Sequence, residues 1–524
     1  MRDLLLIGTV HTMDPRRPLA GAVLVREGKF ACVGSAADCQ RAARADVQAI
    51  ELGGGCAVPG LIDAHGHPLL HGRALEEVRL GGAASAEECA ARVAKYAALV
   101  PAGEWIRGSG WDQNSWADRG FPDATALDAI DRPVVLSRVD VHAYWCNAAA
   151  LRAAGIDART ADPPGGRIVR RPDGSPAGVV VDAAMEMLDR ALPRVTPARA
   201  RDLILRSLRV LSAQGIVSVH DASAGPEILE AYRQLAEADR LPVRVYAMIH
   251  GQGEWPRVEE QLRAWSTTPR LGRLTVRSVK LFADGALGSR GAAMSEPYED
   301  DSGNTGLWLM DPRELSDRML RVAAAGYQPS VHCIGDQACT VVLEAAARVP
   351  RQVRARAEHL QILLPRDLPL LRRSGAIASM QPAHATSDGP WAEERLGRGT
   401  ERQRGAYAWR SVLDAGAPLA FGSDFPVEEQ DPRLGLRSAI GRKTAAGEVW
   451  MPEQRLTREE ALRAFTAGAA WAEFAEDRRG MVREGYEADL TVFGRDLFEV
   501  HVDELSRLPV TATVVGGRVE HASA

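Results

Sequence analysis

The chain has 524 residues, a length that suits two or three domains rather than one. Its 46% hydrophobic and 25% charged content is that of an ordinary soluble globular protein, and a net charge of -5 gives no reason to expect nucleic acid or a membrane surface as a partner. The seven cysteines form no C-x-x-C pair, and we find neither a signal peptide nor a long uncharged apolar stretch, so we expect reduced thiols and a cytoplasmic location.

Both ends of the chain are rich in predicted strands. Short apolar runs with turn signals occupy residues 4–9, 22–26 and 30–34, and similar runs return at 488–493 and 511–519. We therefore expect one small β-sandwich domain, built from residues 1–57 and 478–524, beside a central domain at 58–477.

From about residue 200 onward, one unit recurs: an amphipathic helix, a glycine, and a short apolar strand. One copy begins at Thr196 and Pro197, which suit an N-cap and a first helical turn, and Gly215 ends its helix. Helices between strands predict a parallel sheet, and the number of units favours an α/β fold of the TIM-like (β/α)₈ barrel type. The eight predicted strands lie near 58–64, 216–220, 243–249, 276–282, 328–332, 355–359, 376–380 and 418–423.

The segment from about 72 to 200 is too long for a single crossover between two barrel strands. It has a helix start at Ser85, a strand near 133–139 and a Gly- and Pro-rich hairpin at 163–176. We expect an inserted α/β domain after the first barrel strand, covering the barrel mouth.

Metal-binding side chains stand at the ends of the predicted strands. His65 and His67 follow the first apolar run at positions i and i+2, so in a strand both would share one face. The other polar residues near strand ends are His220, Lys280, His332, His359 and Asp424. Because the carboxyl ends of barrel strands meet at one mouth, these side chains predict a transition-metal site.

Lys280 is unusual because it lies in the apolar run Val276–Ala283 of a chain that otherwise uses arginine almost exclusively. A buried lysine is costly unless it is paired or neutral. It could pair with Asp284 or with another buried acid, or its neutral amine could take up CO₂ to form a carbamate that bridges two metal ions. Arginine could not form that carbamate.

The motifs around these residues resemble those of the amidohydrolase superfamily. The residues within these motifs are most similar to those of the amidohydrolase 3 family, which includes YtcJ-like hydrolases and N-substituted formamide deformylases. The similarity runs nearly the full length of the chain, and its motifs are SVKLFADGALGSR at 278–290, HCIGDQA at 332–338, EH at 358–359, QPAHATSD at 381–388 and FGSDFP at 421–426.

The resemblance implies two zinc ions. One would be held by His65, His67, Lys280 and Asp424, and the second by His332, His359 and the same N-carboxylated Lys280. A site with one ion, or with another divalent metal, stays open.

The chemistry that such ions support is hydrolysis of an amide or N-formyl C–N bond in a small N-substituted substrate. Asp424 is the candidate general base and acid, unless it serves only as a ligand, and His384 is a candidate for steadying the carbonyl oxygen. A deaminase or cyclic-amide hydrolase, or a non-catalytic sensor on the same scaffold, remains an alternative. The expected partner is a small amide, and a homodimer is compatible with the sequence.

Six further residues are candidates for substrate contact: Trp111, Asp112, His142, His220, Arg290 and Gln381. Trp111 could instead be a packing residue. His220 could be a hydrogen-bonded structural histidine, and Arg290 a solvated loop residue.

Overall fold

The computed structural model describes residues 3–101, 103–266 and 270–523. Its central sheet consists of eight parallel strands in sequential order, and the short strand Arg270–Leu271 pairs with the fourth of them. The eight strands are Leu61–Gly66, Ile216–Ala224, Arg244–His250, Leu274–Phe282, Gln328–Cys333, Arg356–His359, Ile377–Met380 and Leu419–Phe421. The predicted TIM-like barrel is confirmed.

The last strand returns to the first and nearly closes the barrel. The amide of Asp424 donates to the carbonyl of His65 at 2.7 Å, and the amide of His67 donates to the carbonyl of Phe425 at 2.9 Å. The first strand begins at Leu61 rather than at the predicted residue 58, because Val58 and Pro59 pair with a strand near the C-terminus instead.

Both termini contribute strands to one sheet. Its seven strands are hydrogen-bonded in one continuous sheet. They are Leu4–His11, Leu19–Arg26, Lys29–Gly34, Gln48–Pro59, Leu490–Phe493, Val510–Val515 and Arg518–Ala522. The long fourth strand runs directly into the barrel, so this sheet anchors the strand that carries His65.

The segment after the first barrel strand forms a separate six-stranded sheet. Its strands are Val78–Arg79, Ile106–Trp111, Val134–Arg138, Ala143–Cys146, Gly166–Arg170 and Pro176–Asp182. The predicted helix begins after Ser85, whose hydroxyl caps the amide of Glu88, and the predicted hairpin is the antiparallel pair of the last two strands. Part of this segment reaches the barrel mouth, as described below.

Helices cover the barrel because each presents an apolar stripe to the sheet. In the helix Pro197–Ala213, the predicted stripe residues Leu203, Leu208 and Leu211 are all buried. The other helices are Ala36–Ala42, Pro68–Ala74, Ala86–Ala97, Ala148–Ala153, Met185–Ala191, Pro226–Glu237, Trp255–Trp265, Pro312–Ala324, Asp336–Ala346, Leu368–Ser374, Pro382–Leu396, Glu401–Arg404, Trp409–Asp414, Pro432–Gly441, Arg458–Ala464 and Ala467–Ala472. Across the described ranges, none of these helices has the length and apolar character needed to span a bilayer.

Candidate metal centre

Four of the predicted ligands meet at the carboxyl end of the barrel. Asp424 Oδ1 lies 3.5 Å from His65 Nε2 and 3.1 Å from His67 Nε2. Lys280 Nζ lies 3.5 Å from the same nitrogen of His65. One ligand atom from each of His65, His67 and Asp424 falls within 4.8 Å of the others, a spacing that one metal ion can bridge.

His332 and His359 lie beside this group. The ring centroids of His332 and His359 are 4.6 Å apart, and those of His359 and His65 are 4.7 Å apart. The structure therefore brings together all six side chains that the sequence predicts as ligands, around one continuous space.

In each of three imidazoles, one ring nitrogen is occupied and the other is left for a ligand. His65 Nδ1 lies 2.6 Å from Glu358 Oε2, and His359 Nδ1 lies 2.8 Å from Gln381 Oε1. His332 Nε2 lies 3.3 Å from the carbonyl of Gly285. Such bonds fix the tautomer and the ring orientation of metal-binding histidines.

Burial keeps these groups in the protonation states that metal binding requires. It lowers the pKa of His65 to about 4, and it lowers the pKa values of His332 and His359 well below the ordinary value. Burial opposes the charge of Asp424, but the neighbouring His65 and His67 imidazoles hold the pKa of this carboxyl below its usual range. Neutral imidazoles and an ionised carboxylate are the forms that bind a divalent cation.

Lys280 is buried and makes no ion pair within the described residues. The alternative in which it pairs with Asp284 is wrong, because Asp284 instead accepts hydrogen bonds from the amides of Ala293, Ile334 and Gly335. Burial lowers the pKa of Lys280 to about 8, so the neutral amine is accessible near physiological pH.

The residues present fit a divalent metal. Asp424 Oδ1 is buried without a hydrogen-bond partner, and so is His384 Nε2, which lies 3.8 Å from Asp424 Oδ2. Orphaned buried lone pairs are costly unless a ligand satisfies them. Neutral imidazole nitrogens together with carboxylate oxygens are a donor set that suits zinc and related transition metals.

A buried ion pair between Glu358 and Arg356 holds the imidazole of His65 on the side away from the mouth. Arg356 Nε donates to Glu358 Oε1 at 2.7 Å, while the other oxygen of Glu358 faces His65. Arg356 also donates to the carbonyl of Ala64 at 2.7 Å and to the hydroxyl of Ser379 at 2.9 Å. The sequence interpretation assigned no role to this pair, although charges at i and i+2 in a short buried strand are a usable signal.

His220 lies in this supporting layer and not at the mouth. Its Nδ1 lies 2.8 Å from a guanidinium nitrogen of Arg356, and its Nε2 lies 3.6 Å from Glu473. It is fully buried and lines neither cavity at the mouth. This position gives no support to the expectation that His220 contacts the substrate.

Two other candidates for substrate contact also lie away from the cavities. Trp111 is fully buried in the core of the insertion, where its indole nitrogen donates to the carbonyl of Leu136 at 2.8 Å. Arg290 pairs with Asp300 at 2.8 Å and lines neither cavity. Trp111 is a packing residue, and the guanidinium of Arg290 is already neutralised within its own loop.

Gln381 has a different role from the predicted one. Its side chain is buried, lies outside both cavities and accepts the hydrogen bond from His359. In this position Gln381 orients a candidate ligand.

The insertion does contribute to the mouth through His142 and Asp112. His142 Nδ1 lies 2.6 Å from Asp182, and its ring centroid is 5.2 Å from that of His332. Asp112 accepts from Arg138 at 2.6 Å and lines one of the cavities. His142 lines both cavities beside the candidate ligands, and Asp112 lines the smaller one.

Two cavities open beside the candidate ligands. The larger, of about 560 Å³, is lined by all six of them and by apolar side chains including Leu69, Leu192 and Ile228. The smaller, of about 90 Å³, lies on the other side of His142, His332, His359 and Asp424, which line both. An apolar cavity with a few convergent polar groups is typical of a small-molecule site.

Comparison with known proteins agrees with this geometry. The model of the amidohydrolase family matches residues 48–521. The protein YtcJ of Bacillus subtilis (strain 168), which is named as an amidohydrolase, is 31% identical over 98% of this chain and 98% of its own. The N-substituted formamide deformylase of Arthrobacter pascens is 29% identical over 99% of this chain and 98% of its own. A solved structure, an uncharacterized metal-dependent hydrolase from Pyrococcus horikoshii OT3, covers 96% of this chain and 99% of its own with 26% identity and a TM-score of 0.77.

Proposed function

This chain belongs to the amidohydrolase family and is a hydrolase of non-peptide carbon–nitrogen bonds, and from that premise we propose that it cleaves the amide or N-formyl bond of a small N-substituted substrate. The observation that carries the proposal is the convergence of His65, His67 and Asp424 beside a buried, unpaired Lys280. The similarity to a formamide deformylase supports the N-formyl class.

We further propose that the centre holds two zinc ions. His65, His67, Lys280 and Asp424 would hold one, and His332, His359 and Lys280 the other. Lys280 can serve both if its neutral amine adds to CO₂, forming an N–C bond and releasing one proton. When bound, such ions lower the pKa of water towards 7 and polarise a carbonyl group.

In this proposal Asp424 transfers the proton and His384 stabilises the developing charge. Asp424 keeps one oxygen without a hydrogen-bond partner, so it can accept a proton from water and pass it to the leaving nitrogen. His384 presents an unpartnered Nε2 close to Asp424, where it can stabilise charge that develops on the carbonyl oxygen. His142, held by Asp182, closes the mouth on the insertion side.

The test is a release assay on purified chain loaded with zinc. Formate, ammonia and free amine are measured across a panel of N-formyl and N-acyl amines, before and after chelation. We expect turnover to need metal and to fall by a factor of about 10³ or more in Asp424→Asn. Asp414→Asn, at a carboxylate whose side chain is 66% exposed and pairs with Arg410, is the matched control.

Two outcomes would contradict the proposal. Release of ammonia from a ring or amidine substrate, with no amide cleavage, would favour the deaminase alternative. Absence of turnover from metal-loaded chain on every class of C–N substrate would favour the non-catalytic alternative.

A further inference from the structure

The smaller cavity is distinguished by its charge. The residues that line it but not the larger cavity include the charged residues Asp112, Arg138, Asp388 and Glu428, together with His384 and Trp391. We call it the acidic cavity. Its volume of about 90 Å³ corresponds to roughly three water molecules, so it has room for one compact group of a substrate.

The single guanidinium that lines this cavity, among the described residues, is already engaged. Arg138 donates to Asp112 at 2.6 Å and to Asp140 at 2.5 Å. Its close ion pairs are therefore made with these two carboxylates, and its charge acts on Asp388 only from a distance beyond 4.0 Å. This leaves Asp388 and Glu428 to be accounted for.

Asp388 and Glu428 receive only neutral hydrogen-bond donors. Asp388 accepts from the hydroxyl of Tyr407 at 2.5 Å, and that hydroxyl in turn accepts from Gln361. Glu428 accepts from the hydroxyl of Ser387. Within the described ranges, neither carboxylate has a lysine, arginine or histidine nitrogen within 4.0 Å.

Two carboxylates without cationic partners in a confined space are unfavourable. Burial raises the pKa of Asp388 to about 7 and also raises the pKa of Glu428. The negative charge of Glu428 further raises the pKa of Asp388. Both side chains are half-buried, and partial removal of an unpaired charge from water carries a cost in free energy. A bound cation would remove that cost.

These observations assign a substrate feature to the cavity. We propose that the acidic cavity binds a compact cationic substituent of the substrate, an alkylammonium or amidinium group, between Asp388 and Glu428. The inference rests on the proposed function, because it places this substituent on the amine side of the bond to be cleaved. The indole of Trp391 also lines the wall, and the guanidinium of Arg395 already lies 4.6 Å from the centroid of its ring.

A competing explanation is that the two carboxylates act on His384. His384 shares the cavity with them, and in this explanation the two carboxylates position its imidazole. In that case, removing either charge would lower turnover of every substrate alike. The cationic-substituent proposal requires instead that the loss depends on the charge of the substrate.

The experiment uses three N-formyl amines of similar length that differ in terminal charge. These are N-formyl-1,3-diaminopropane, which is cationic, N-formylbutylamine, which is neutral, and 4-formamidobutyrate, which is anionic. We expect kcat/KM of the zinc-loaded chain to be highest for the cation and lowest for the anion. A neutral substrate that is used as well as the cation, or better, would overturn the proposal.

The variants Asp388→Asn and Glu428→Gln then locate the effect. We expect each to lower kcat/KM for the cation roughly 10- to 100-fold, mainly through KM, and to change the value for the neutral amide less than about threefold. Glu429→Gln removes the same charge at the adjacent, exposed position and should leave all three values unchanged. Equal losses on all three substrates would assign the carboxylates to His384 and overturn the proposal.

A binding measurement separates this inference from the proposed reaction. The same three compounds are titrated calorimetrically into the Asp424→Asn chain, in which cleavage is blocked. Preferential binding of the cation, lost in the Asp388→Asn background, would support the acidic cavity even if no formamide is hydrolysed. Binding without preference for the cation, or no binding of any of the three, would overturn it.

Discussion

Glu358 gives the most demanding test of how this centre is built. The carboxylate is fully buried, and its two oxygens divide their contacts between His65 Nδ1 at 2.6 Å and Arg356 Nε at 2.7 Å. Glu358→Gln keeps the shape of the side chain and removes its charge. His65 then loses the carboxylate that makes its imidazole a stronger ligand.

The magnitude follows from these two contacts. Loss of a carboxylate behind a metal-binding histidine typically costs 10- to 100-fold in metal affinity, or about 1.4 to 2.7 kcal/mol. Breaking a buried ion pair costs roughly 3 to 5 kcal/mol of folding free energy. We expect the lower end, because Arg356 keeps the carbonyl of Ala64 and the hydroxyl of Ser379 as acceptors.

The assay measures both quantities separately. A chromophoric chelator competes for zinc and gives the metal affinity, and urea unfolding of the metal-free chain gives the stability. Glu476→Gln is the matched control, because this carboxylate also pairs with an arginine, Arg354, but its side chain is 32% exposed and should contribute at most about 1 kcal/mol. A folded Glu358→Gln chain that binds zinc within twofold of the parent would refute the reasoning.

The remaining predictions concern three residues. Lys280→Ala should lower kcat roughly 100-fold or more, because the candidate bridge between the two ion sites is lost. It should also reduce the amount of zinc bound per chain, measured by elemental analysis. Undiminished turnover would contradict this role of Lys280. Burial lowers the pKa of His71 from 6.5 to about 4, so between these pH values the unfolded chain binds more protons than the folded chain. Up to about 3 kcal/mol of stability that is present above pH 6.5 is therefore lost as the pH falls to 4. His71→Gln should flatten this dependence of the unfolding free energy on pH, measured by urea unfolding, and an unchanged dependence would show that His71 is not its source. Trp111→Phe should cost about 1 to 3 kcal/mol of stability and leave KM within threefold, whereas a large rise in KM would return Trp111 to the substrate site.

The barrel and the ligand positions could be predicted because their signals are local. A glycine between an amphipathic helix and an apolar run marks where several of the strands begin, and the residue at the far end of the run falls at the mouth. His332 was found in this way, whereas His359 was found from its apolar run alone, because no glycine comes directly before its strand. Both histidines lie within one residue of the end of their strands. His65 likewise lies one residue before the end of Leu61–Gly66.

The same rule failed for His220 because the end of its strand was misplaced. The apolar run stops at residue 220, but the strand continues to Ala224. His220 therefore lies four residues inside the barrel, at the level of the Arg356 guanidinium. Composition alone does not show that the following polar residues, including Asp221, still belong to the strand.

The supporting pair could not be assigned from sequence because its partners are distant along the chain. A charged residue in a buried strand indicates that it has a polar partner, but the sequence does not identify that partner. Glu358 contacts His65, which is 293 positions away, and Arg356 contacts the carbonyl of Ala64, which is 292 positions away. Only the closure of the barrel brings these segments together.

Two of the candidate ligands have a strained backbone conformation that orients their side chains. His359 and Asp424 both have left-handed backbone conformations, with φ of 69° and 61°, which cost a residue other than glycine roughly 1 to 3 kcal/mol. At Asp424 this conformation lets the amide donate to the carbonyl of His65 while the carboxylate faces the imidazoles of His65 and His67. An extended backbone would continue the strand, and its side chain would then follow the alternation of the sheet instead of facing these imidazoles. Backbone strain therefore occurs at two candidate ligands, His359 and Asp424, and at Asp424 it coincides with the junction of the last strand and the first.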